Sequence, residues 1–457
     1  MAIRNQAASV AACLTILAAL TASAAADARK DRINQLIESM RSSFPAQEGG
    51  LGYCVEWGDK AFLLAPETTF EQYQLFVEAL PPLENNRYQW SGSRWTTTST
   101  DGSVALRQPM TLTWSYVPDG TTIPNGGSGD LFSGPSELYA VLDAEYATRG
   151  GRAQWHLNFT NAFNQWGNLT GITYAYAGDP DTGDDGASWP GTPGVVGVRG
   201  DIRIAMRNID NGSNVLAYNF FPTTGDMLLD SSERSLWRST TSSFRSIRNI
   251  VTHEHGHGLG YNHVDPINNS KLMEAFFSTA FDGPQQDDIR AGQFVYGDNF
   301  ESNATTATAS DIGVIAVAPA VTTVTNLAIE TNGLVDNYRL PLPAFSSLNV
   351  TVTPVGTTYS QGQQGGSTST VNALTIHNLR FRIIAPDGTT VITTVDNSAA
   401  GVAESVSGLD LSAFGAGTYF LQVDENSSSN DIQRYQFTVS YTAAPPTSAS
   451  DAWLDLE

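Results

Sequence analysis

The sequence predicts an α+β domain followed by an all-β sandwich, and three observations lead to this fold class. The chain has 457 residues, which is too many for one ordinary hydrophobic core. Between about residues 90 and 297, short apolar runs alternate with stretches of helical periodicity. Beyond residue 326 the pattern is only the alternation that is typical of strands. Two folded domains of different class are therefore expected.

The first residues are typical of an export signal. Arg4 precedes a short apolar run at residues 8–20, and the small residues at 22–26 offer cleavage sites. The run is too short to span a membrane, and no later stretch reaches the roughly 20 apolar residues that spanning requires. We therefore expect a secreted, extracellular protein that does not span the membrane.

The α+β domain is predicted from the order of its elements. Alternating apolar residues predict four short strands, at residues 110–116, 172–177, 201–206 and 215–221. Helical periodicity predicts two helices, at residues 154–166 and 242–257. The second helix is long, and its buried side would carry Phe244, Ile247, Ile250 and Val251.

The C-terminal half is predicted to be a sandwich. Alternation at 348–352, 419–423 and 435–439 indicates strands, and Pro386-Asp387-Gly388 indicates a turn. The predicted divisions of the chain are a signal peptide at 1–26, a leader or propeptide at 27–87, the α+β domain at 88–299, a linker at 300–325, the sandwich at 326–442 and a disordered tail at 443–457.

Charge and cysteine content narrow the class of protein. A formal net charge of -22 disfavours nucleic acid and anionic membrane surfaces as partners, because like charges repel. Cys13 would leave with the signal peptide, so Cys54 would have no partner and no disulfide framework is expected.

The residues that carry chemistry are concentrated in one segment, His253-Glu254-His255-Gly256-His257-Gly258-Leu259-Gly260-Tyr261-Asn262-His263. Residues four apart lie on one helix face, so His253 and His257 can bind one metal ion side by side. Gly260 can end the helix and return His263 as a third ligand. Three imidazoles leave a fourth position for water, as in catalytic zinc sites, and Glu254 lies where it can act as general base.

This segment resembles the metzincin signature HExxHxxGxxH, and residues 90–297 resemble the matrixin branch of these zinc peptidases. The resemblance implies a twisted mixed sheet with a long active-site helix, one catalytic zinc, and hydrolysis of protein or peptide substrates through a zinc-bound water and Glu254. It also implies that Met273 forms the methionine turn beneath the metal, braced by Asp287 or Asp288. Residues 215–222 look like the edge strand that pairs with substrate.

Two features depart from the matrixin pattern. The spacing from His263 to Met273 is about two residues longer than usual, and Glu274-Ala275 replaces the usual aromatic residue and proline. A second, structural zinc is not expected, because Tyr218 and Leu228 stand where histidines would be. A calcium site is implied at Asp210, Asp230 and Glu233, with solvated surface acids as the equal alternative.

Other interpretations stay open at this stage. Cys54 is either a switch that silences zinc, as in matrixin leaders, or a buried inert thiol. Residues 335–340, 384–388 and 415–419 resemble the bacterial pre-peptidase C-terminal domain, which implies a role in export or in binding substrate or a surface. The alternative function is an extracellular adhesin with an inactive protease-like domain, and the presence of Glu254 favours the enzyme.

Overall fold

The computed structural model describes residues 53–57, 60–64, 87–126, 130–212, 215–343, 345–364, 366–427 and 429–443. The predicted signal peptide, most of the predicted leader and nearly all of the predicted tail lie outside these residues.

The first half of the described chain contains ten strands and five helices. The strands are β1 Tyr53–Trp57, β2 Lys60–Leu64, β3 Met110–Tyr116, β4 Thr122–Ile123, β5 Gly134–Pro135, β6 Ile172–Tyr176, β7 Ile202–Arg207, β8 Val215–Phe220, β9 Met227–Asp230 and β10 Val264–Asp265. The helices are α1 Leu138–Tyr146, α2 Gly151–Gly167, α3 Arg234–Trp237, α4 Arg245–Gly258 and α5 Gln286–Tyr296. A short 3-10 turn spans Arg87–Gln89.

The α+β class predicted for this half is confirmed. Seven strands form one mixed sheet in the order β1-β2-β8-β9-β7-β3-β6. Parallel pairing joins β6, β3, β7 and β9, whereas β8 runs antiparallel to β9. Helix α2 packs against β6 and α4 packs against β8, and the two helices contact each other. The four predicted strands and two predicted helices match β3, β6, β7, β8, α2 and α4 within three residues at each end.

The strand expected at the substrate edge of the sheet is covered, which corrects the sequence-based expectation. Strand β8 pairs with β9 on one side and with β2 of the leader on the other, with Lys60 opposite Phe220 and Leu63 opposite Ala217. The leader strands β1 and β2 form a hairpin, so they extend the sheet beyond β8. Sequence patterns could not show this pairing, because it joins segments about 150 residues apart.

In the described residues of the second half, the regular elements are all strands. They are β11 Ser310–Asp311, β12 Ala316–Val317, β13 Thr322–Ile329, β14 Asp336–Leu342, β15 Phe345–Val355, β16 Thr358–Gln363, β17 Thr368–Asn372, β18 Leu379–Ile384, β19 Val391–Val395, β20 Glu404–Asp410, β21 Gly417–Glu425 and β22 Gln433–Ala443. One sheet has the order β11-β14-β21-β18-β19, and the other has the order β12-β22-β15-β20, with β13 also paired to β22. Their inward side chains form a separate core around Tyr338, Phe381 and Phe437.

The predicted linker at 300–325 is part of the sandwich instead. Strand β11 pairs in parallel with β14, β12 pairs in parallel with β22, and β13 begins at Thr322. Its composition of small and β-branched residues resembles that of a linker, but it is equally suited to edge strands.

The two halves are in direct contact. Ala328 and Ile432 of the sandwich belong to the hydrophobic core of the α+β domain. Arg290 of α5 forms an ion pair with Asp431, with 2.7 Å between Nη2 and Oδ1. The hairpin of β16 and β17 also contacts the α+β domain, because β16 pairs with β10 of that domain. Within the described ranges, no helix has the length and apolar character needed to cross a membrane.

Candidate metal centre

Helix α4 places two imidazoles side by side in the interior of the domain. His253 and His257 are one helical turn apart and at most 3% exposed, and their Nε2 atoms are 3.1 Å apart. The helix is held in place by Ile247, Ile250 and Val251, which are fully buried. The side chains of His253 and His257, at positions i and i+4, therefore point to the same place.

A tight turn brings the third imidazole to the same position. Gly260 has a φ of +104°, and a Cβ there would lie 2.1 Å from the carbonyl oxygen of Ser93. Only glycine suits both the positive φ and the close approach of the Ser93 carbonyl. The chain then returns so that the His263 ring lies 4.6 Å from that of His257 and 5.4 Å from that of His253. The three histidines each offer a nitrogen within 4.8 Å of the others.

Each histidine is oriented through its other ring nitrogen. The Nδ1 atom of His253 lies 2.6 Å from the carbonyl oxygen of Leu272, and that of His257 lies 2.6 Å from the carbonyl oxygen of Tyr261. A carbonyl can only accept, so both Nδ1 atoms donate and both Nε2 atoms keep a lone pair. Such partners fix the tautomer that binds metal.

Burial keeps the imidazoles in their neutral, ligating form. It lowers the pKa of His253 to about 4, and it lowers the pKa of His257 and of His263 well below the usual value. For His257 and His263, the neighbouring histidines add to this effect because positive charges on the rings would repel each other. All three rings are therefore neutral near pH 7, as metal binding requires.

Glu254 lies beside these histidines and is completely buried. Neither of its carboxylate oxygens has a hydrogen-bond partner among the residues that the structure describes. Burial without a partner raises its pKa well above the usual value. A buried carboxylate of this kind is suited to taking up a proton and giving it back.

The methionine turn lies directly under the histidines. A Cβ on Gly256 would lie 2.4 Å from the sulfur of Met273, so the turn packs onto α4 between the first two histidines. Asp288 braces the turn, since its carboxylate accepts hydrogen bonds from the backbone N–H groups of Leu272 and Met273, at 2.6 and 3.0 Å. Asp287 instead contacts the hydroxyl of Tyr359.

Comparisons with known proteins agree with this arrangement. Residues 138–297 match the model of the matrixin family. This segment is a matrixin-like domain. The hatching enzyme of Paracentrotus lividus is 29% identical to the chain over 157 residues, which is 32% of this chain and 23% of that enzyme. The chain therefore spans less than a quarter of the length of this relative. Strand β3, which lies between β7 and the edge strand β6 in the sheet, precedes the matched segment.

The unusual residues after the third histidine of the matrixin-like domain have a structural explanation. The completely buried carboxylate of Glu274 accepts hydrogen bonds from four consecutive backbone N–H groups, those of residues 268–271, at 2.7–3.0 Å. These residues lie between His263 and Met273, in the segment that is longer than matrixins usually show. Glu274 therefore stabilises the longer turn from within, and Lys271 lies 3.7 Å from the same carboxylate.

One residue of the site was missed in the sequence. The side-chain oxygen of Gln364 lies 3.2 Å from the Nδ1 atom of His263. Gln364 follows strand β16 and is 5% exposed, so the sandwich supplies the partner of the third histidine. The two residues are 101 positions apart in the sequence, so no local pattern could have predicted this contact.

The acids predicted to bind calcium are only partly brought together. Asp210 and Asp230 are buried, and the Asp210 N–H lies 3.4 Å from a carboxylate oxygen of Asp230. Burial raises the pKa of Asp230 well above its usual value, and the charge of Asp210 adds to this rise. Among the described residues, the groups of three or more clustered ligands do not include Glu233 with these two. Calcium binding by this trio remains a prediction.

His255 does not join the cluster of the three ligand histidines. His255 is buried, its Nε2 atom lies 2.7 Å from the hydroxyl of Tyr174, and its ring packs against Phe163. These contacts give His255 a packing role. The backbone of Cys54 lies in β1 opposite Leu63, and β2 separates β1 from β8. The side chain of Cys54 lies outside the described part, so its role as a switch stays a hypothesis.

Proposed function

We propose that this protein is a secreted zinc-dependent metalloendopeptidase that hydrolyses peptide bonds of extracellular proteins. The observation that carries the proposal is the convergence of three buried imidazole nitrogens beside a buried carboxylate, within a matrixin-like domain. Matrixins depend on zinc in general. Secretion is supported by the export signal at the start of the sequence.

The donor set fits zinc. In a tetrahedral site with Zn–N bonds of about 2.0–2.1 Å, two imidazole nitrogens lie about 3.3 Å apart. The Nε2 atoms of His253 and His257 are 3.1 Å apart. Neutral imidazoles are common zinc ligands, and catalytic sites use three protein ligands rather than four. Among the described residues, no fourth histidine, cysteine or acid joins this cluster.

His253, His257 and His263 would hold the ion, and Glu254 would move the proton. When bound, zinc acts as a Lewis acid that polarises the scissile carbonyl and makes water acidic enough to attack near neutral pH. A carboxylate oxygen of Glu254 takes the proton from the attacking water and then gives it to the leaving amine. The buried setting suits both steps, because it raises the proton affinity of the carboxylate.

Neighbouring residues hold the three histidines and the methionine turn in position. Asp288 holds the methionine turn through two backbone N–H groups, and the carbonyl oxygens of Leu272 and Tyr261 orient the first two histidines. Hydrogen bonds of this kind restrict the rings to the orientation that binds metal. The active constellation is therefore supported from α4, α5 and the turn between them.

The test is proteolysis with reversible removal of the metal. Purified protein incubated with casein or gelatin should lose activity when a zinc chelator is added. Activity should return with about one zinc ion per chain and should not return with calcium alone, because imidazole ligands favour zinc over calcium.

The alternative is an extracellular adhesin whose protease-like domain is inactive. Zinc bound at one ion per chain, with no cleavage even after the leader is removed, would support the adhesin and contradict the peptidase. Cleavage that persists after complete removal of zinc would also contradict the proposal.

A further inference from the structure

A second group of acidic side chains lies where the matrixin-like domain meets the sandwich. Asp298 and Glu301 follow α5, and Glu330 follows strand β13 of the sandwich. Each offers a carboxylate oxygen, and these oxygens all lie within 4.8 Å of one another. Asp298 is completely buried and Glu330 is 1% exposed, whereas Glu301 is half-buried. A fourth acid, Asp336 on β14, is also buried.

No donor outside the acidic group satisfies Glu330. Its carboxylate oxygens lack a hydrogen-bond partner of good geometry among the described residues, and the only hydrogen-bonding groups that interact with them are its own backbone N–H and the carboxyl group of Glu301. Asp298 is different, because it accepts hydrogen bonds from the N–H groups of Phe300 and Ala328, at 2.7 and 2.8 Å. An unsatisfied buried carboxylate facing two others is costly in free energy unless a cation or a proton compensates it.

The protein's own cations do not compensate this charge. Among the described residues, no lysine or arginine nitrogen lies within ion-pair distance of Asp298, Glu301 or Glu330. The guanidinium of Arg107 attracts the carboxylates of Glu330 and Glu301 from beyond ion-pair distance. Its own pKa is lowered by burial. Burial raises the pKa of Glu330 and of Asp298, and the charges of neighbouring acids raise both further. Either protons or a bound cation must therefore neutralise the group.

We propose that Asp298, Glu301 and Glu330 bind a calcium ion that joins the end of the matrixin-like domain to the sandwich. Calcium binds carboxylate oxygens at about 2.3–2.6 Å, so two ligands on opposite sides of the ion lie about 4.6–5.2 Å apart. The separations within this group, at most 4.8 Å, suit that coordination. The backbone N–H of Asn303 donates to the Glu301 carboxylate, and the buried side-chain amide of Asn303 has no hydrogen-bond partner in the described chain, so its oxygen is available as a further ligand.

The ion would fix the relative position of the two domains. Asp298 already connects them, because its carboxylate accepts the N–H of Ala328 on β13. Ala328 belongs to the core of the first domain, although it lies on a strand of the second. Calcium between Asp298 and Glu330 would add a second, ionic connection at the same place.

The test uses the full-length protein in calcium-depleted buffer with zinc kept saturating. Added calcium should raise Tm by about 5 °C when it is in large excess over Kd. In Glu330→Gln, the number of calcium ions bound per chain in equilibrium dialysis should fall by one, and the rise in Tm should be lost. The control Asp311→Asn changes an exposed acid on the nearby strand β11. It should bind as much calcium as the wild type and show the same rise in Tm.

Two results would overturn the proposal. If Glu330→Gln binds as much calcium as the wild type, the ion lies elsewhere, for example at Asp210 and Asp230. If calcium does not raise Tm of the wild type and Glu330→Gln is equally or more stable, the carboxyl groups share protons instead. Should Glu330→Gln not fold, Glu301→Gln serves in its place because Glu301 is only half-buried, and it should show the same loss of calcium.

Discussion

Burial has opposite consequences for the acidic and basic side chains of the metal centre. It lowers the pKa of His253 to about 4, which keeps the ring neutral, and it raises the pKa of Glu254, which increases the affinity of its carboxylate for a proton. Both shifts have one cause, the removal of charged forms from water. The result is a set of neutral nitrogen ligands beside a carboxylate with high proton affinity, and both are properties that metal-assisted hydrolysis requires.

Glu274 gives a prediction at this scale. Glu274→Ala removes the acceptor of four backbone N–H groups at 268–271 and leaves Lys271 without its neighbouring carboxylate. We expect the free energy of unfolding to fall by about 2–4 kcal/mol, because hydrogen bonds to a buried charged group are among the stronger ones. Urea unfolding with zinc saturating measures the change.

The conservative variant Glu274→Gln is the control, since its amide keeps one acceptor oxygen in place. It should lose less stability than Glu274→Ala. An alanine variant as stable as the wild type would mean that residues 268–271 hold their turn without this carboxylate.

At the scale of elements, the most consequential finding is the leader hairpin on the central sheet. Strand β2 pairs along the whole of β8, from Lys60 opposite Phe220 to Leu64 opposite Val215. By the resemblance to matrixins, β8 is the strand with which an extended substrate would pair. A strand already paired on both sides has no free backbone groups for an added strand. The leader is therefore expected to hinder substrate binding.

Removal of the hairpin tests this expectation. A chain that begins at residue 66 should have a value of kcat/KM at least about 10-fold higher than a chain that begins at residue 51, which keeps both β1 and β2. The chain that begins at residue 51 is the matched control. Like the shorter chain it lacks residues 1–50, but it keeps the hairpin of β1 and β2. Equal rates for the two chains would show that β2 does not obstruct substrate.

Individual elements were predictable where local pattern determines them. Strand β3 occupies the predicted residues 110–116, because its alternation of apolar and polar residue types is a local property of the sequence, although nearly all of its side chains are buried. The long helix α4 and the grouping of His253, His257 and His263 could likewise be predicted from spacing. The pairing of β8 with β2 could not, nor could the strands β11 and β12 inside the predicted linker, since both depend on partners distant in sequence.

For the molecule as a whole, the sandwich is part of the metal centre's support. The hairpin of β16 and β17 pairs with β10, next to His263, and places Gln364 against that histidine. The hydroxyl of Tyr359, on the same hairpin, contacts Asp287 of α5. Because the third histidine takes its orienting partner from the second domain, the two domains are expected to act as one unit.

Gln364→Ala tests this dependence. We expect zinc affinity to fall about 10–100-fold, the usual cost of removing a partner that orients a ligand histidine. Competition with a zinc indicator measures it. The neighbouring Gln363→Ala is the control, because Gln363 takes part in pairing with Val264 through its backbone. Equal affinity in the two variants would show that His263 is oriented without the sandwich.

The central claim is that Glu254 is the proton-transferring group of a zinc peptidase, and Glu254→Gln tests it most directly. The change keeps the shape of the side chain but removes its ability to accept the proton. Casein cleavage and bound zinc would be measured on the same preparations of wild type and variant. The account predicts about one zinc ion per chain in both and a loss of activity in the variant of at least about 100-fold. A variant that binds zinc and cleaves casein as fast as the wild type would contradict it.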